Sequence, residues 1–174
     1  MVGAGDGNGG MARNETDKGV TQSILDRLMD LEPREPADPQ FSRSTTVRQY
    51  KTSVRRDLQN LLNTRRIRDQ AGDDLPLTKK SLFNIGLPDF TSLTLASPAD
   101  RKKLTSEIAE TIEYFEPRLQ SVRVQLVEST GINTRALNFH IEALLIMDPA
   151  PEQITFDAVF EPSRAEYEVR GGDR

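Results

Sequence analysis

The sequence contains no cysteine, no tryptophan and a single histidine, and it has no long apolar run. Without cysteine the protein can form neither disulfides nor thiolate metal sites, and this composition suits a reducing compartment. No stretch reaches the roughly 18 apolar residues that a membrane-spanning helix needs. The N-terminal segment MVGAGDGNGGMARNETDKG also lacks the apolar core of a signal peptide. We therefore expect a soluble cytoplasmic protein.

Acidic and basic residues nearly balance, with 27 Asp and Glu against 23 Lys and Arg, for a formal charge of -4 at pH 7. This mild acidity argues against general nucleic-acid binding through a basic surface. One basic run, from Arg48 to Arg68, could nevertheless hold phosphates. Such a run more often faces water or an acidic partner, and we favour that interpretation. Duplex DNA binding is the alternative, and it would weaken steeply with added salt.

Composition divides the chain into three segments. Residues 1–19 are rich in Gly, Asn and Asp, and we predict a disordered tail. Residues 20–41 carry an amphipathic pattern from Val20 to Leu31 and then three prolines, which predicts an N-terminal helix and an extended linker. Residues 42–170 hold the remaining periodic segments and form the predicted globular domain.

Two long helices are predicted in this domain. Apolar residues recur at helical spacing from about Thr46 to Asn63, and again from Pro98 to Phe115. The second helix should stop at Glu116, because Pro117 disfavours helical geometry in the residue before it. Between the two helices, the segment SLFNIGLPDFTSL fits a short helix that turns into a packed loop.

Strands follow the helices. Apolar and polar residues alternate over Val122–Leu126, Leu137–Leu145 and Ile154–Phe160, with short connections typical of antiparallel neighbours. The segment AEYEV near the C-terminus could add a fourth, edge strand, whose free N–H and C=O groups another chain could extend. The expected fold is α+β, with the N-terminal helices packed on one face of a three- to four-stranded antiparallel sheet.

Side chains for catalysis or cofactor binding are scarce. His140 belongs to the polar alternation of its strand, and without a second histidine or any cysteine it cannot anchor a typical zinc site. No G-x-S-x-G, Walker loop or G-x-G-x-x-G is present. We therefore predict no catalytic residue, no metal, no cofactor and no small-molecule substrate.

Carboxylates provide one enzymatic alternative, a muramidase-like peptidoglycan hydrolase. Such an enzyme needs two acids, one of them with a raised pKa. Glu116 could lie partly buried beneath a helix end, but Arg118 would stabilise its charged form, which is the wrong direction for a general acid. The sequence also lacks tryptophan and has only three tyrosines, so an aromatic sugar-binding groove is not indicated.

The triplet Glu116-Pro117-Arg118 lies between the second helix and the first strand, and it allows two interpretations. It is either a helix stop with two exposed charges, or a rigid pair that docks to a partner. Proline restrains the backbone, so the acid and the guanidinium leave it in fixed directions, and the guanidinium can bind carboxylates or carbonyls through two bonds. In the docking interpretation, replacing Glu116 or Arg118 by alanine should leave folding nearly intact and weaken assembly.

Three segments together resemble a known family. SVRRDLQNLLNTRR, SLFNIGLPDF and FEPRLQSVRVQL, in this order and spacing, resemble TssE, a baseplate subunit family of the bacterial type VI secretion system. That family is similar to the small wedge protein of contractile phage-tail baseplates. The resemblance runs from about Ser23 to Phe160. It is carried by the combination of Asn63-Thr64-Arg65, Gly86-Leu87-Pro88-Asp89 and Glu116-Pro117-Arg118.

The resemblance implies a structural, non-enzymatic role. TssE-like proteins sit with TssF and TssG, near TssK, in a cytoplasmic baseplate that the secretion complex links indirectly to the inner membrane. They help to start the TssB/TssC sheath. The family's Glu-Pro-Arg motif falls on Glu116, Pro117 and Arg118, which are implied to bind the other wedge subunits. A likeness to the strand-sharing domain of the sheath implies that a first sheath subunit adds strands to the C-terminal sheet edge.

Overall fold

The computed structural model describes Leu28 and residues 43–67, 75–79, 81–90, 97–127, 136–161 and 163–172. The chain forms two compact units, Met1–Val47 and Arg48–Arg174, and nearly all described residues belong to the second. Of the predicted helix at residues 20–31 only Leu28 is described, and it is helical and exposed. The predicted tail and the Pro-rich linker lie outside the described residues.

Both long helices form as predicted. Helix α1 spans Arg43–Asn63, helix α2 is the single turn Pro76–Lys79, and helix α3 spans Pro98–Phe115. A 3-10 turn, Leu82–Asn84, precedes a segment in which Leu87 is buried. Among the described helices, none combines the length and hydrophobicity that a transmembrane segment requires.

Each long helix buries one face. The predicted apolar stripe of α1 is confirmed, since Tyr50, Val54, Leu58, Leu61 and Leu62 are all buried. The corresponding stripe of α3 consists of Leu104, Ile108 and Ile112. Ser97 caps the start of α3, its hydroxyl accepting a hydrogen bond from the backbone N–H of Asp100 at 3.4 Å.

The sheet has four antiparallel strands in the order β1-β2-β3-β4. They span Leu119–Val127, Leu137–Leu145, Glu152–Glu161 and Glu166–Gly171. Alternate side chains of β2 and β3 are buried, and these are Phe139, Ile141, Ala143, Leu145, Ile154, Phe156 and Ala158. The apolar face lies under the helices, so the predicted α+β fold is confirmed and the fourth strand is present.

The first strand begins irregularly. The pairing register between β1 and β2 shifts between Gln120 and Arg123, and Ser121 within this bulge has a positive φ of 53°. The N–H of Val122 donates to Glu113 Oε1 of α3 at 2.9 Å instead of to another strand. Beyond the bulge, the residues of β1 from Arg123 to Val127 pair regularly with β2.

The C-terminal edge of the sheet is covered by side chains of α1. Asn63 Oδ1 accepts from the N–H of Tyr167 at 2.7 Å, and Asn63 Nδ2 donates to the carbonyl of Tyr167 at 2.9 Å. Gln59 Oε1 accepts from the N–H of Val169 at 3.2 Å. The expectation of free backbone groups on this strand is therefore wrong at these two residues, because helix amides already bind them.

Tyr167 gives the fold a testable pH dependence. Its ring packs between Phe139 and Phe160, with centroid distances of 6.1 and 4.7 Å, and burial raises the pKa of its hydroxyl from 10.0 to about 12. Its neutral form is therefore favoured by folding, and this contribution is complete below pH 10.0 and lost as the pH rises through about 12. Denaturant titrations should show a loss of up to about 2 kcal/mol across this range. Tyr167→Phe should lack that part of the loss, and equal slopes in both proteins would contradict the assignment.

Candidate functional site

The junction between α3 and β1 is a hydrogen-bonded turn. Glu116 ends the helix with a φ of −120° and a ψ of 78°, and its N–H donates to the carbonyl of Ile112 at 2.8 Å. The carbonyl of Glu116 accepts from the N–H of Leu119 at 2.9 Å, which closes a turn around Pro117 and Arg118. Proline suits the first central position of such a turn, because its fixed φ matches. The predicted helix stop is confirmed.

The turn folds the two charges of the triplet onto each other. Arg118 Nε donates to Glu116 Oε1 and Arg118 Nη2 donates to Glu116 Oε2, both at 2.6 Å. Glu116 is only 5% exposed. The interpretation of the triplet as two exposed charges is therefore wrong for Glu116, and both of its oxygens are bound by the neighbouring guanidinium.

Helix α1 supplies the other partners of the guanidinium. Arg118 Nη2 also lies 2.7 Å from Asp57 Oδ2, and Arg118 Nη1 donates to Ser53 Oγ at 3.3 Å. The guanidinium carbon lies 5.8 Å from the centroid of the Tyr50 ring. Sequence reasoning missed these partners. The available signal was their spacing, because Tyr50, Ser53 and Asp57 follow each other at three and four residues and so share one helix face.

The electrostatics of the junction keep Arg118 charged. Burial alone lowers the pKa of its guanidinium, but the hydrogen bonds and charge of Glu116, followed by those of Asp57, outweigh burial and raise the pKa above its ordinary value. Asp57 Oδ1 additionally accepts from Arg56 Nε and Nη2, both at 3.0 Å. The result is a chain of alternating charges from Glu116 through Arg118 and Asp57 to Arg56.

The same junction is tied to the sheet. The carbonyl of Arg118 accepts from the N–H of Ile146 at 2.8 Å, just beyond the end of β2. The hydroxyl of Tyr50 donates to the carbonyl of Ile146 at 3.2 Å. Helices α1 and α3 and strands β1 and β2 therefore meet at one point. What remains accessible there is the exposed Pro117, the guanidinium of Arg118 with 18% of its side chain exposed, and Arg56 with 36%.

This geometry bears on the enzymatic alternative. A general acid has to present a proton to the glycosidic oxygen of a sugar. Glu116 is held instead as an ion pair, with both oxygens accepting from Arg118. Such a carboxylate is poorly placed to donate a proton, so the geometry gives the hydrolase hypothesis no support.

The other sequence candidates lie apart from the junction. His140 is half-buried on the polar side of its strand, and its Nδ1 lies 2.8 Å from Asp157 Oδ1. Within the residues that the structure describes, no group of three or more His, Cys, Asp or Glu side chains could hold a metal ion. The other ring nitrogen, His140 Nε2, lies 3.7 Å from Glu142 Oε1. His140 thus forms a surface cluster with Asp157 and Glu142.

Several residues of the basic run bind groups of the protein itself. Lys51 Nζ lies 2.7 Å from Glu152 Oε1, so α1 is tied to β3. Arg66 Nε donates to the carbonyl of Gly86 at 3.1 Å, and its Nη2 donates to Thr111 Oγ1 of α3 at 3.2 Å. The expectation of a solvated basic run is wrong for these two cations, and they are not available to bind phosphates.

The first two motifs behind the family resemblance lie next to each other. The backbone N–H of Leu87 donates to the carbonyl of Thr64, and the N–H of Arg66 donates to the carbonyl of Leu87, both at 2.9 Å. These bonds form a parallel bridge between Arg65 and Leu87. Arg66 then links this bridge to Thr111 of α3, near the C-terminal end of the helix at which Glu116 lies.

Comparison with known proteins bears on this arrangement. Neither the curated proteins nor the solved structures that were compared with the chain gave a match. The family model described as baseplate wedge protein gp25 matches residues 48–150, which is more than half of the chain. That range includes most of α1, the bridge at Leu87, the junction and the first two strands. The chain therefore belongs to the baseplate wedge protein gp25 family, as the resemblance predicted, and has a structural role in a baseplate.

Proposed function

We propose that this protein is the wedge component of a type VI secretion baseplate, which docks to TssF and TssG near TssK and helps to start the TssB/TssC sheath. Membership of the wedge family over residues 48–150 is the observation that carries the proposal. The likeness of the three quoted segments to TssE favours a secretion system over a phage tail. In this proposal residues 42–170 form the wedge domain, and the protein acts in the cytoplasm at the membrane-docked baseplate.

Glu116, Pro117 and Arg118 form the docking point in this proposal. The buried pair does not reach out to the partner itself, because its charges bind each other and α1. It acts as an internal brace that holds the exposed Pro117 and the outer edge of the guanidinium at fixed positions. A braced surface loses little conformational entropy on binding, and this supports a docking role.

Exposed apolar side chains also support assembly with other proteins. Leu77 is 83% exposed and Leu82 is 76% exposed, and Phe83 beside them is 45% exposed. Exposed apolar groups clustered in one short segment mark interaction surfaces in soluble proteins. We assign this cluster, Leu77, Leu82 and Phe83, to contact with a second wedge subunit.

Co-purification with TssF and TssG from the same bacterium tests the proposal. The wild-type chain should form a stable complex, and Pro117→Ser and Leu77→Asp should each weaken it at least tenfold, or about 1.4 kcal/mol. Leu77 is exposed, so Leu77→Asp should barely change the unfolding midpoint. Pro117 is exposed too, and losing its fixed φ should cost at most about 1 kcal/mol of stability. Matched controls are Pro151→Ser and Thr52→Asp, which alter exposed residues elsewhere and should bind normally. Failure of the wild-type chain to bind either subunit would overturn the proposal.

A further inference from the structure

The two edges of the sheet differ in how their backbone groups are satisfied. We propose that Gln59 and Asn63 act as a substitute strand that closes β4 to other chains, and that an incoming strand pairs with β1 instead. The choice of a sheath subunit as the donor of that strand rests on the proposed function. The closed edge does not, because it follows from contacts within the chain.

The amides of Gln59 and Asn63 reproduce the bonding of a strand. A carboxamide carries a carbonyl and an N–H group, as a peptide unit does. Asn63 both accepts from and donates to Tyr167, which is the reciprocal pattern of paired residues in an antiparallel ladder. Gln59 then accepts from Val169, two residues further along β4.

The spacing of the two elements makes this match possible. Four residues of a helix rise about 6 Å, and two residues of a strand rise about 6.8 Å. Side chains four apart on α1 can therefore meet backbone groups two apart on β4. An unpaired edge invites aggregation, and covering it is one of the ways in which proteins prevent this.

On the β1 edge, by contrast, some outward backbone groups have no bonding partner among the described residues. The N–H of Ile146 donates to Arg118, so the even-numbered residues of β2 face β1. Arg123 lies opposite the even-numbered Glu142 and therefore bonds to β2, whereas Val124 lies opposite the odd-numbered Ile141. The backbone groups of Val124 and Leu126 consequently point away from β2. Among the described residues, none bonds the outward backbone groups of Val124 or Leu126.

The open stretch has defined limits and a defined chemistry. Glu113 already binds the N–H of Val122, so strand addition can begin only beyond it, at Arg123–Val127. Val124 and Leu126 are half-buried, and a neighbouring strand would cover them further. Arg123 on the opposite face is exposed. The fitting partner is an extended segment with alternate apolar residues and an acidic residue opposite Arg123.

Amide hydrogen exchange on the isolated chain tests the closed edge. Replacing Gln59 and Asn63 together by alanine should accelerate exchange at Tyr167 and Val169 at least tenfold and produce concentration-dependent association. The control Asn60→Ala changes an exposed amide on the same helix and should leave both unchanged. Unaltered exchange at Tyr167 and Val169 in the double variant would overturn the assignment of a substitute strand.

Binding to purified TssB/TssC tests the open edge. Val124→Pro removes an outward N–H without removing a donor of the β1–β2 ladder, and it should weaken binding at least tenfold. Val124→Ala loses the same side chain, keeps the N–H and should still bind. Complex formation should protect Val124 and Leu126 from exchange. Equal binding by the two variants, or protection at β4 instead, would overturn the β1 assignment and leave the proposed function standing. If the wild-type chain does not bind the sheath subunits, sheath initiation and the β1 assignment both fail, and exchange in the isolated chain still decides the closed edge.

Discussion

Replacing Arg118 by alanine is expected to lower the free energy of unfolding by about 3–5 kcal/mol. The reason is that the substitution leaves the Glu116 carboxylate buried and unpaired. Glu116 is 5% exposed and receives two hydrogen bonds of 2.6 Å from the guanidinium. Without Arg118 its carboxylate stays buried with no cation beside it. A single domain is stable by only about 5–15 kcal/mol, so this loss would consume a large share of the total.

The chain contains a matched control for this substitution. Glu168 and Arg170 have the same spacing as Glu116 and Arg118, and Arg170 binds Glu168 through two hydrogen bonds of 2.8 and 2.9 Å. Both side chains are largely exposed, however, and water can replace the lost partner. Denaturant unfolding of Arg170→Ala should match the wild-type protein. Similar curves for Arg118→Ala and Arg170→Ala would show that burial is not the decisive difference.

Removing both charges separates two effects, the loss of the ion pair and the cost of leaving one charge buried without a partner. In Glu116→Leu with Arg118→Met the buried carboxylate is gone and Asp57 keeps its bonds to Arg56, so the double variant should recover most of the stability lost in Arg118→Ala. The burial of Glu116 therefore argues against the expectation that either charge can be removed with folding nearly intact. Assembly measurements on Glu116 or Arg118 variants need such a stability-matched protein, because a partly unfolded chain would also fail to join the baseplate.

The sequence predicted the regular elements because their signals are local. The apolar spacing of α1 and α3 and the alternation of β2 and β3 place one face of each in the core, and Pro117 sets the helix stop. The partners of Arg118 were harder to predict, because Ser53 and Asp57 lie on a helix more than fifty residues earlier in the chain.

The closed sheet edge could not be predicted for a related reason. Gln59 and Asn63 read as ordinary polar residues at the surface of α1, and the strand residues they bind are more than a hundred positions later. A sequence pattern indicates which strand has polar and apolar faces, but not which element lies beside its last edge. The edge strand was therefore predicted correctly, but its contacts with α1 at Tyr167 and Val169 were not.

The segment around Gly86 shows how a family motif follows from backbone geometry, and it gives the second large expected effect. Gly86 has a φ of +96°, and a Cβ there would lie 2.2 Å from the carbonyl oxygen and 2.7 Å from the carbonyl carbon of Thr64. Those atoms are backbone, and the same oxygen accepts the N–H of Leu87 at 2.9 Å. A side chain at residue 86 cannot be accommodated while this bridge persists.

Gly86→Ala should accordingly lower the free energy of unfolding by more than about 2 kcal/mol, since it combines a positive φ with a backbone clash. Amide exchange at Leu87 and Arg66 should rise as the bridge opens. Gly171→Ala is a graded comparison, because Gly171 has a similar φ of +94° and its Cβ would meet the backbone oxygen of Thr155 at 2.9 Å, a milder clash than the 2.2 Å at Gly86. Positive φ alone would destabilise both variants equally in denaturant titrations. A larger loss for Gly86→Ala would instead show that the closer backbone contact between Gly86 and Thr64 adds to the cost of the positive φ.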